Sequence, residues 1–560
     1  MDEKTWNVYP RPQMRRDNWI NLNGMWKFSV TDKAPEGMEE IRIPFCPESM
    51  LSRVGYHFGE GAVLCYSRRL TLPPEYETGR VLLHIGAADQ MLECRVNRRC
   101  IGTHAGGYEA MTFDITSALV PGENEIVLLC RDDLNDRTFP YGKQVTPEKR
   151  GGMWYTPVSG IWQTVWLERV PKHYIKGLSI ENRGTSVTID IGADFPGNVI
   201  VAGLGKFPLQ GGRVTITPEN PHYWSPEDPY LYDFVVETEE DRVESYFAIR
   251  TLEIKQVGKY PRLCLNGKPY FFHGLLDQGY WPEGLLTPPE PGCYAEDILT
   301  AKKLGYNTLR KHIKVEAEEF YYQCDKLGMI VWQDMVNNGE YRFFRDTALP
   351  TIGLKKLPDR FLGQKEEAGA RFRDCARATV MQLKNHPSIV LWTIFNEGWG
   401  QTDADGAYDW LRGLDSTRFI DTTSGWFCRK KTDVDSRHVY FRRISLRGDG
   451  KKPLILSEFG GKTYRAEGHV YNPEKTYGYG NCESLEKLNE TVEKLYLEEV
   501  LPQVDRGLCA AIYTQLSDVE DEINGVVTYD RRVLKLMPET MLPVAEALRE
   551  KMVALCEKMG

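Results

Sequence analysis

Several features that would announce a function are missing from this 560-residue chain. No apolar stretch approaches the roughly 18 uninterrupted residues a membrane helix needs, so no membrane partner is expected. The opening Met1-Asp2-Glu3-Lys4-Thr5-Trp6 lacks the basic start and apolar run of a secretory signal. The 13 cysteines are scattered from Cys46 to Cys556 and never fall as Cys-x-x-Cys, which argues against a zinc ribbon or a disulfide framework. They read as reduced thiols of a cytoplasmic protein. A basic excess is missing too: 79 acidic against 70 basic residues give a net charge of -9. Nucleic acid and anionic lipid both demand a large basic surface, so a neutral ligand is expected instead.

Common nucleotide and metal signatures also fail. Gly461-Lys462-Thr463 resembles the end of a phosphate loop, but the glycine required five residues earlier is Leu456. Gly203-Leu204-Gly205 lacks the third glycine of a dinucleotide fingerprint, since Pro208 stands there. His-Glu-x-x-His does not occur. The expectation is therefore no cofactor and no metal ligand set.

What is present is ample core material, 41% hydrophobic and 11% aromatic, in a chain long enough for two to four domains. Residues 1–170 alternate apolar and polar residues in short runs broken by Gly, Pro, Asn and Asp, as in Gly24-Met25-Trp26-Lys27-Phe28-Ser29-Val30. This predicts a jelly-roll β-sandwich. The turn in Val96-Asn97-Arg98-Arg99 lacks glycine, so a longer or looser connection is expected there. Residues 171–252 carry clean alternation in Ser186-Val187-Thr188-Ile189-Asp190-Ile191, with prolines marking the turns. Some 80 residues of this kind suit a small immunoglobulin-like sandwich.

From 253 to 560 apolar β-type runs alternate with helical periodicity, the pattern of parallel βα units. Strands are predicted over 270–276, 307–313, 329–335, 388–397, 418–422, 438–441, 454–458 and 509–515, with helices over 296–304, 317–327, 366–384, 483–504 and 539–557. Eight such strands predict a (β/α)8 TIM barrel, whose active site is built at the carboxyl ends of the strands. No helix is legible over 424–452. The fold class is thus multidomain, β followed by α/β.

Two carboxylates stand at the ends of apolar strands. Ile389-Val390-Leu391-Trp392-Thr393-Ile394-Phe395 runs into Asn396-Glu397-Gly398-Trp399-Gly400, and Leu454-Ile455-Leu456-Ser457 runs into Glu458-Phe459-Gly460-Gly461. As fourth and seventh strands they deliver both glutamates to one rim. Two carboxyls there can share acid/base and nucleophilic work, one protonating a leaving oxygen while the other attacks an anomeric carbon. A lone glutamate at a strand end is more often a solvated rim or capping residue; the aromatic and glycine surroundings of both favour catalysis.

At these residues the sequence resembles glycoside hydrolase family 2, the family of β-galactosidases, β-glucuronidases and β-mannosidases. Leu22-Asn23-Gly24-Met25-Trp26-Lys27-Phe28, Ser159-Gly160-Ile161-Trp162-Gln163-Thr164-Val165-Trp166 and Asn266-Gly267-Lys268-Pro269 extend the likeness over essentially the whole chain. The resemblance implies Glu397 as general acid/base, Glu458 as nucleophile, and Asn396 as donor to the sugar 2-hydroxyl. It implies that Tyr440 hydrogen-bonds the nucleophile, although a core tyrosine reads as well. Arg310 and His312 match basic positions near the nucleophile or form a structural ion pair. Asp277, Gln278 and Asp334 reach the same rim and either bind sugar hydroxyls or hold loops. Trp399 is a candidate stacking surface, and Gln515, with Asp518 beyond it, sits where the family finishes its pocket.

The resemblance further implies a carbohydrate substrate, an oligosaccharide or glycoconjugate, and a homo-oligomer, since members are commonly dimers or tetramers. A neutral β-galactoside is the expected substrate. The Asn-x-Lys pair of the family's β-glucuronidases is missing, with Asn472-Pro473-Glu474-Lys475 one residue too long and Asn524-Gly525-Val526 without lysine. Arg531 and Arg532 offer another way to meet an acid, which leaves a uronide open, as does a mannoside. A carbohydrate-binding protein without turnover is the non-enzymatic alternative.

Overall fold

The computed structural model describes residues 5–30, 39–59, 61–351, 354, 357–362 and 365–557. Met1 to Lys4, part of the opening segment weighed above, lie outside the described residues. Two antiparallel sheets face each other in the first β unit. One has four strands (Trp19–Asn21, Arg80–Ile85, Met111–Asp114, Val165–Val170) and the other six, with Leu64–Thr71 and Glu123–Arg131 at its centre. Alternation along Glu123–Arg131 is regular, every second residue buried, because one face meets a core of Trp26, Tyr66, Leu83 and Leu128 while the other meets solvent. The turn at Asn97-Arg98 differs from the expectation. Val96 pairs directly with Arg99, and both loop residues are left-handed at φ 49° and 67°, so this is a tight two-residue hairpin. Asn97 supports it with its own side chain, donating to the carbonyl of Ala118 and to Asn124. Local hydrogen bonding replaces the freedom that glycine would have supplied.

A second β unit packs three strands (Ser179–Arg183, Ser186–Asp190, Arg213–Ile216) against four (Gly197–Val201, Gly205–Pro208, Tyr232–Thr238, Arg242–Phe247) around Ile189, Val199, Phe234 and Val243. A hairpin follows, Leu252–Val257 with Tyr260–Leu265, continued to Lys268–Pro269 through a turn at Asn266-Gly267. Fully buried Arg262 on this hairpin donates to the carbonyls of Val504 and Leu508. The hairpin is thereby seated at the amino-terminal end of the last barrel strand, opposite the glutamates.

The barrel comprises Phe272–Asp277, Thr308–Lys311, Ile330–Asp334, Ile389–Asn396, Phe419–Ser424, Asp435–Val439, Leu454–Gly460 and Leu508–Thr514, every hydrogen-bonded pair of neighbours being parallel. The fifth and sixth strands approach each other without a ladder, so closure there rests on side chains. The sixth strand lies earlier than predicted, leaving Tyr440 and Phe441 beyond its end in the loop. No helix separates the fifth, sixth and seventh strands, as the sequence suggested. The longest helix to escape the sequence reading is Ala404–Leu414, which is short and glycine-bearing and follows Asp403, whose carboxylate caps it. The helix predicted over 483–504 is interrupted: Leu485–Lys494 passes through a π-helical stretch, Leu495–Val500, into Leu501–Val504, whose Pro502 lacks the amide of an uninterrupted ladder. Among the described residues no helix is long and apolar enough to cross a membrane. Among the described residues no disulfide joins two cysteines.

Candidate active site

Both glutamates reach the carboxyl-terminal rim by local backbone devices. The fourth strand ends at Asn396, and Glu397 then turns left-handed at φ 55°, its amide held by the Ser424 carbonyl at 2.9 Å. A side chain in that backbone region is strained, a condition that surrounding structure must impose. Gly398 follows at φ +75°, where an added Cβ would lie 2.1 Å from the Phe427 ring. Glycine is therefore the residue this turn accepts. On the other side, the seventh strand breaks register with both neighbours near Ser457 and Glu458, and His438 of the sixth strand becomes the partner of Glu458. Such irregularities re-aim a side chain out of the ladder.

The result is a compact cluster. His438 Nδ1 lies 2.8 Å from Glu397 Oε1 and 3.6 Å from Glu458 Oε2, and one ligand atom from each of these residues falls within 4.8 Å of the others. His438 Nε2 meets Ser424 Oγ at 3.0 Å. Glu458 is 4% exposed and Glu397 half-buried. Arg310, fully buried on the second strand, is the organising cation. It donates to both oxygens of Asp334 at 3.0 and 3.1 Å, to the Ser457 carbonyl at 3.0 Å, to Glu458 Oε1 at 2.9 Å and to Asn396 Oδ1 at 2.9 Å. Binding the Asn396 oxygen orients that amide so that its NH2 points away from the guanidinium. Tyr440 donates its hydroxyl to Glu458 Oε2 and lies 3.1 Å from Thr514 Oγ1.

These contacts set protonation. Burial would raise the Glu458 carboxyl, but His438, Arg310 and the Tyr440 hydrogen bond outweigh it and hold the carboxyl well below the usual range. Asp334 is likewise held down, against burial, by Arg310 and His312. Burial keeps the Tyr440 phenol protonated, reinforced by the Glu458 charge. His312, whose Nδ1 is 2.7 Å from Asp334 Oδ2, is pushed down to about 4, chiefly by burial.

Of the residues singled out from sequence, Glu397, Glu458, Asn396, Tyr440, Arg310, His312 and Asp334 thus form one connected network. Others are engaged elsewhere. Asp277 accepts from Lys311 Nζ at 2.6 Å and from the Gly279 amide, holding a loop. Gln278 is buried with its Oε1 unpartnered among the described residues. Trp399, 3% exposed, packs edge-on against Tyr141, Trp154 and Tyr341 beneath the cavity wall. Gln515 donates to Asn524 Oδ1 at 2.8 Å under the loop after the eighth strand. Asp518 is paired with Lys535 at 2.6 Å.

Several residues of the site were not picked out from sequence. His438 lay inside a predicted strand, and only its register against Glu458 marks it. Trp154 comes from the first β unit yet lines the cavity beside Glu397, with Tyr440 and Tyr479 on the same cavity. Its neighbour Tyr155 donates to Glu522 Oε2 at 2.5 Å, and Asn524 Nδ2 supplies Oε1 at 2.9 Å. Buried Glu522 is raised first by burial and also by the Glu458 charge, and is drawn down by Lys143, a first-unit lysine. A signal for these contacts would have required knowing which loops the first unit sends over the barrel. Contrary to the expectation of no ligand cluster, Glu397, His438 and Glu458 have a donor set compatible with a cation as well as with proton chemistry.

Comparison with known proteins adds the following. Residues 259–534 match the family model described as "Glycosyl hydrolases family 2, TIM barrel domain", and residues 176–250 match "Glycosyl hydrolases family 2", together well over half of the chain. A β-glucuronidase from Paenibacillus borealis is 26% identical over 463 residues, covering 74% of this chain and 73% of that protein. A β-galactosidase from Thermoanaerobacter pseudethanolicus is 23% identical over 406 residues, covering 67% of this chain but 49% of its own length. The chain thus spans about half the length of such β-galactosidases. Among solved structures, a β-glucuronidase from an uncultured Clostridium sp. superposes with a TM-score of 0.73 at 18% identity, covering 98% of this chain and 99% of its own. A β-galacturonidase from Eisenbergiella tayi, bound to galacturonate, gives 0.67 at 18% identity over 97% and 99%. At such identities the structural likeness is one of fold.

Proposed function

Because the chain belongs to glycoside hydrolase family 2, we propose that it is a retaining exo-β-glycosidase acting through a covalent glycosyl-Glu458 intermediate. The observation that carries this is the separation of the two carboxylates. Oxygens within 4.8 Å of each other suit the roughly 5–5.5 Å of double displacement better than the roughly 6.5–9.5 Å at which an inverting pair flanks a water. Glu458, kept ionised by Arg310 and oriented by Tyr440, attacks the anomeric carbon as Glu397 protonates the departing oxygen. Glu397 then deprotonates the incoming water, and Glu458 leaves the sugar. His438, hydrogen-bonded to Glu397 and near Glu458, keeps the two carboxyls in register. Asn396, its oxygen occupied by Arg310, offers its NH2 to the sugar 2-hydroxyl, a contact that strengthens toward the oxocarbenium-like transition state.

For the sugar, a neutral β-glycoside, with β-galactoside foremost, is the reading the site supports best. The cations that the sequence offered to a uronate are committed elsewhere. Arg531 is tied to Asp297 at 3.2 Å and lies over Trp281, Arg532 extends into solvent beside Asp530, and both Asn472 and Lys475 face Asp521. Glu522, a buried carboxyl that interacts electrostatically with Glu458, disfavours a sugar carboxylate. A uronide is the second reading, favoured by Lys143, which makes no hydrogen bond or ion pair to a described side chain and whose charge is felt at His312 and Glu522. A panel of p-nitrophenyl β-D-galactoside, glucoside, mannoside, glucuronide and galacturonide discriminates the two. A 2-deoxy-2-fluoro-galactosyl fluoride should leave a glycosyl adduct on the peptide containing Glu458, detected by mass spectrometry. An adduct on another residue refutes the nucleophile assignment.

A further inference from the structure

The cavity beside Glu397 is far larger and more apolar than a single sugar ring requires. Its volume of about 810 Å³ falls in the range of cavities that take drug-sized ligands. Of the polar groups around the reacting pair, Glu397, His438 and Tyr440 line it. Away from them the wall is made by Met153, Trp154, Phe343, Pro350 and Phe441. Phe343 and Phe441 are 66% and 70% exposed, an unusual condition for phenylalanine, and one that marks recognition surfaces when such residues gather around a cleft.

The walls are also pre-set. Trp154 is wedged edge-on between Tyr341 and Trp399, and Tyr440 stacks on Tyr479 with ring centroids 4.3 Å apart, while Phe441 meets Tyr479 edge-on. Hydroxyls that could orient a second sugar are partly committed: Thr347 and Tyr341 bond each other, and Tyr477 donates to Tyr479. Beyond these the polar lining is Arg442 and the Gly151-Gly152 backbone, so most hydroxyls of a disaccharide or longer chain would face hydrocarbon. A flat ring system would instead bury its faces between aromatic surfaces at little conformational cost.

We propose that the leaving-group side of this cavity is a binding site for a planar, apolar aglycone, so that the substrates are aryl or polycyclic β-glycosides and not oligosaccharides. This rests on the reading of Glu397 and Glu458 as the reacting pair, since it takes the space beyond Glu397 as the aglycone side.

The test uses non-hydrolysable thioglycosides, so that binding is read apart from turnover. Dissociation constants are measured calorimetrically for methyl and 2-naphthyl 1-thio-β-D-galactopyranoside, and for the corresponding thioglucuronides, with the full chain and with the Phe441→Ala and Phe343→Ala variants. Both side chains are exposed, so the variants should fold as the parent does. Burial of the naphthyl rings should tighten binding over the methyl compound on the order of 10- to 100-fold. At least one variant should cut that ratio to about threefold or less while leaving methyl thioglycoside affinity unchanged. A parent ratio below about threefold, or a ratio that neither variant alters, overturns the inference while methyl thioglycoside binding preserves the glycosidase reading. No binding of any probe overturns both.

Discussion

Replacing Arg310 with methionine is the sharpest test of how the site holds its charges. The guanidinium makes five hydrogen bonds, to Asp334 twice, Ser457, Glu458 and Asn396, and is wholly buried. Methionine fills much of the volume but leaves Asp334 and Glu458 as buried anions without their cation. Breaking such a pair from one side costs about 3–5 kcal/mol. Glu458 is depressed below its unfolded value near 4.3, so the stability it contributes is full above that pH and is lost as pH falls through the folded value. The gap between parent and variant should therefore be widest near neutrality and shrink in acid. Catalysis moves with it. A nucleophile must be ionised, and loss of one adjacent positive charge raises a carboxyl by about one to three pH units. The acid limb of kcat/KM for an activated aryl β-glycoside, which reports the free enzyme, should shift upward by that amount, with urea unfolding giving the stability loss. Arg310→Lys should fall between, restoring charge but not the fork of donors. A folded Arg310→Met protein with an unmoved acid limb would refute the account of Glu458.

Other perturbations separate the remaining roles. Glu397→Gln should lower kcat/KM by about 100- to 10,000-fold for alkyl β-glycosides but by far less for a dinitrophenyl glycoside, because an activated phenol departs without a proton; equal losses on both would remove the acid role. Gly398→Ala places a Cβ 2.1 Å from Phe427 at φ +75°, so it should cost about 1–3 kcal/mol of stability and displace Glu397, with activity down tenfold or more, and Phe427→Ala should rescue it only in part because the backbone strain remains. Glu522→Gln removes the buried carboxyl that interacts electrostatically with Glu458 and should raise the glucuronide-to-galactoside ratio of kcat/KM by about tenfold, read from paired substrate kinetics. An unchanged ratio would place Glu522 outside sugar recognition.

Much of this molecule was legible because its fold repeats simple periodicities. The alternation of Glu123–Arg131 and the apolar runs ending at Asn396 and Glu458 specify half-buried and fully buried strands without reference to anything distant. The turn at Asn97-Arg98 was misread because the absence of glycine was weighed alone, whereas Asn97 stabilises its own left-handed backbone by bonds to Asn124 and Ala118. His438 was legible as a strand residue but not as the partner of both glutamates, since that depends on a register break against the seventh strand. Contributions from Trp154 and Tyr155 were hidden for a different reason: contacts between units obey no sequence period.

In the proposed mechanism two glutamates at one rim take opposite duties at one pH, and the site sets them in different surroundings. Both are close to His438, so proximity to the imidazole does not distinguish them. What distinguishes them is the other neighbour. Glu458 lies deep, where Arg310 and Tyr440 both favour its charged form, and a low dielectric strengthens each of those contacts. Glu397 sits at the cavity wall, half-buried, with His438 as its hydrogen-bond partner among the described residues. When a sugar ring and the proposed aglycone fill the cavity, water is displaced from the wall that carries Glu397 while Glu458 keeps its buried cation, so the two carboxyls meet the substrate in different surroundings.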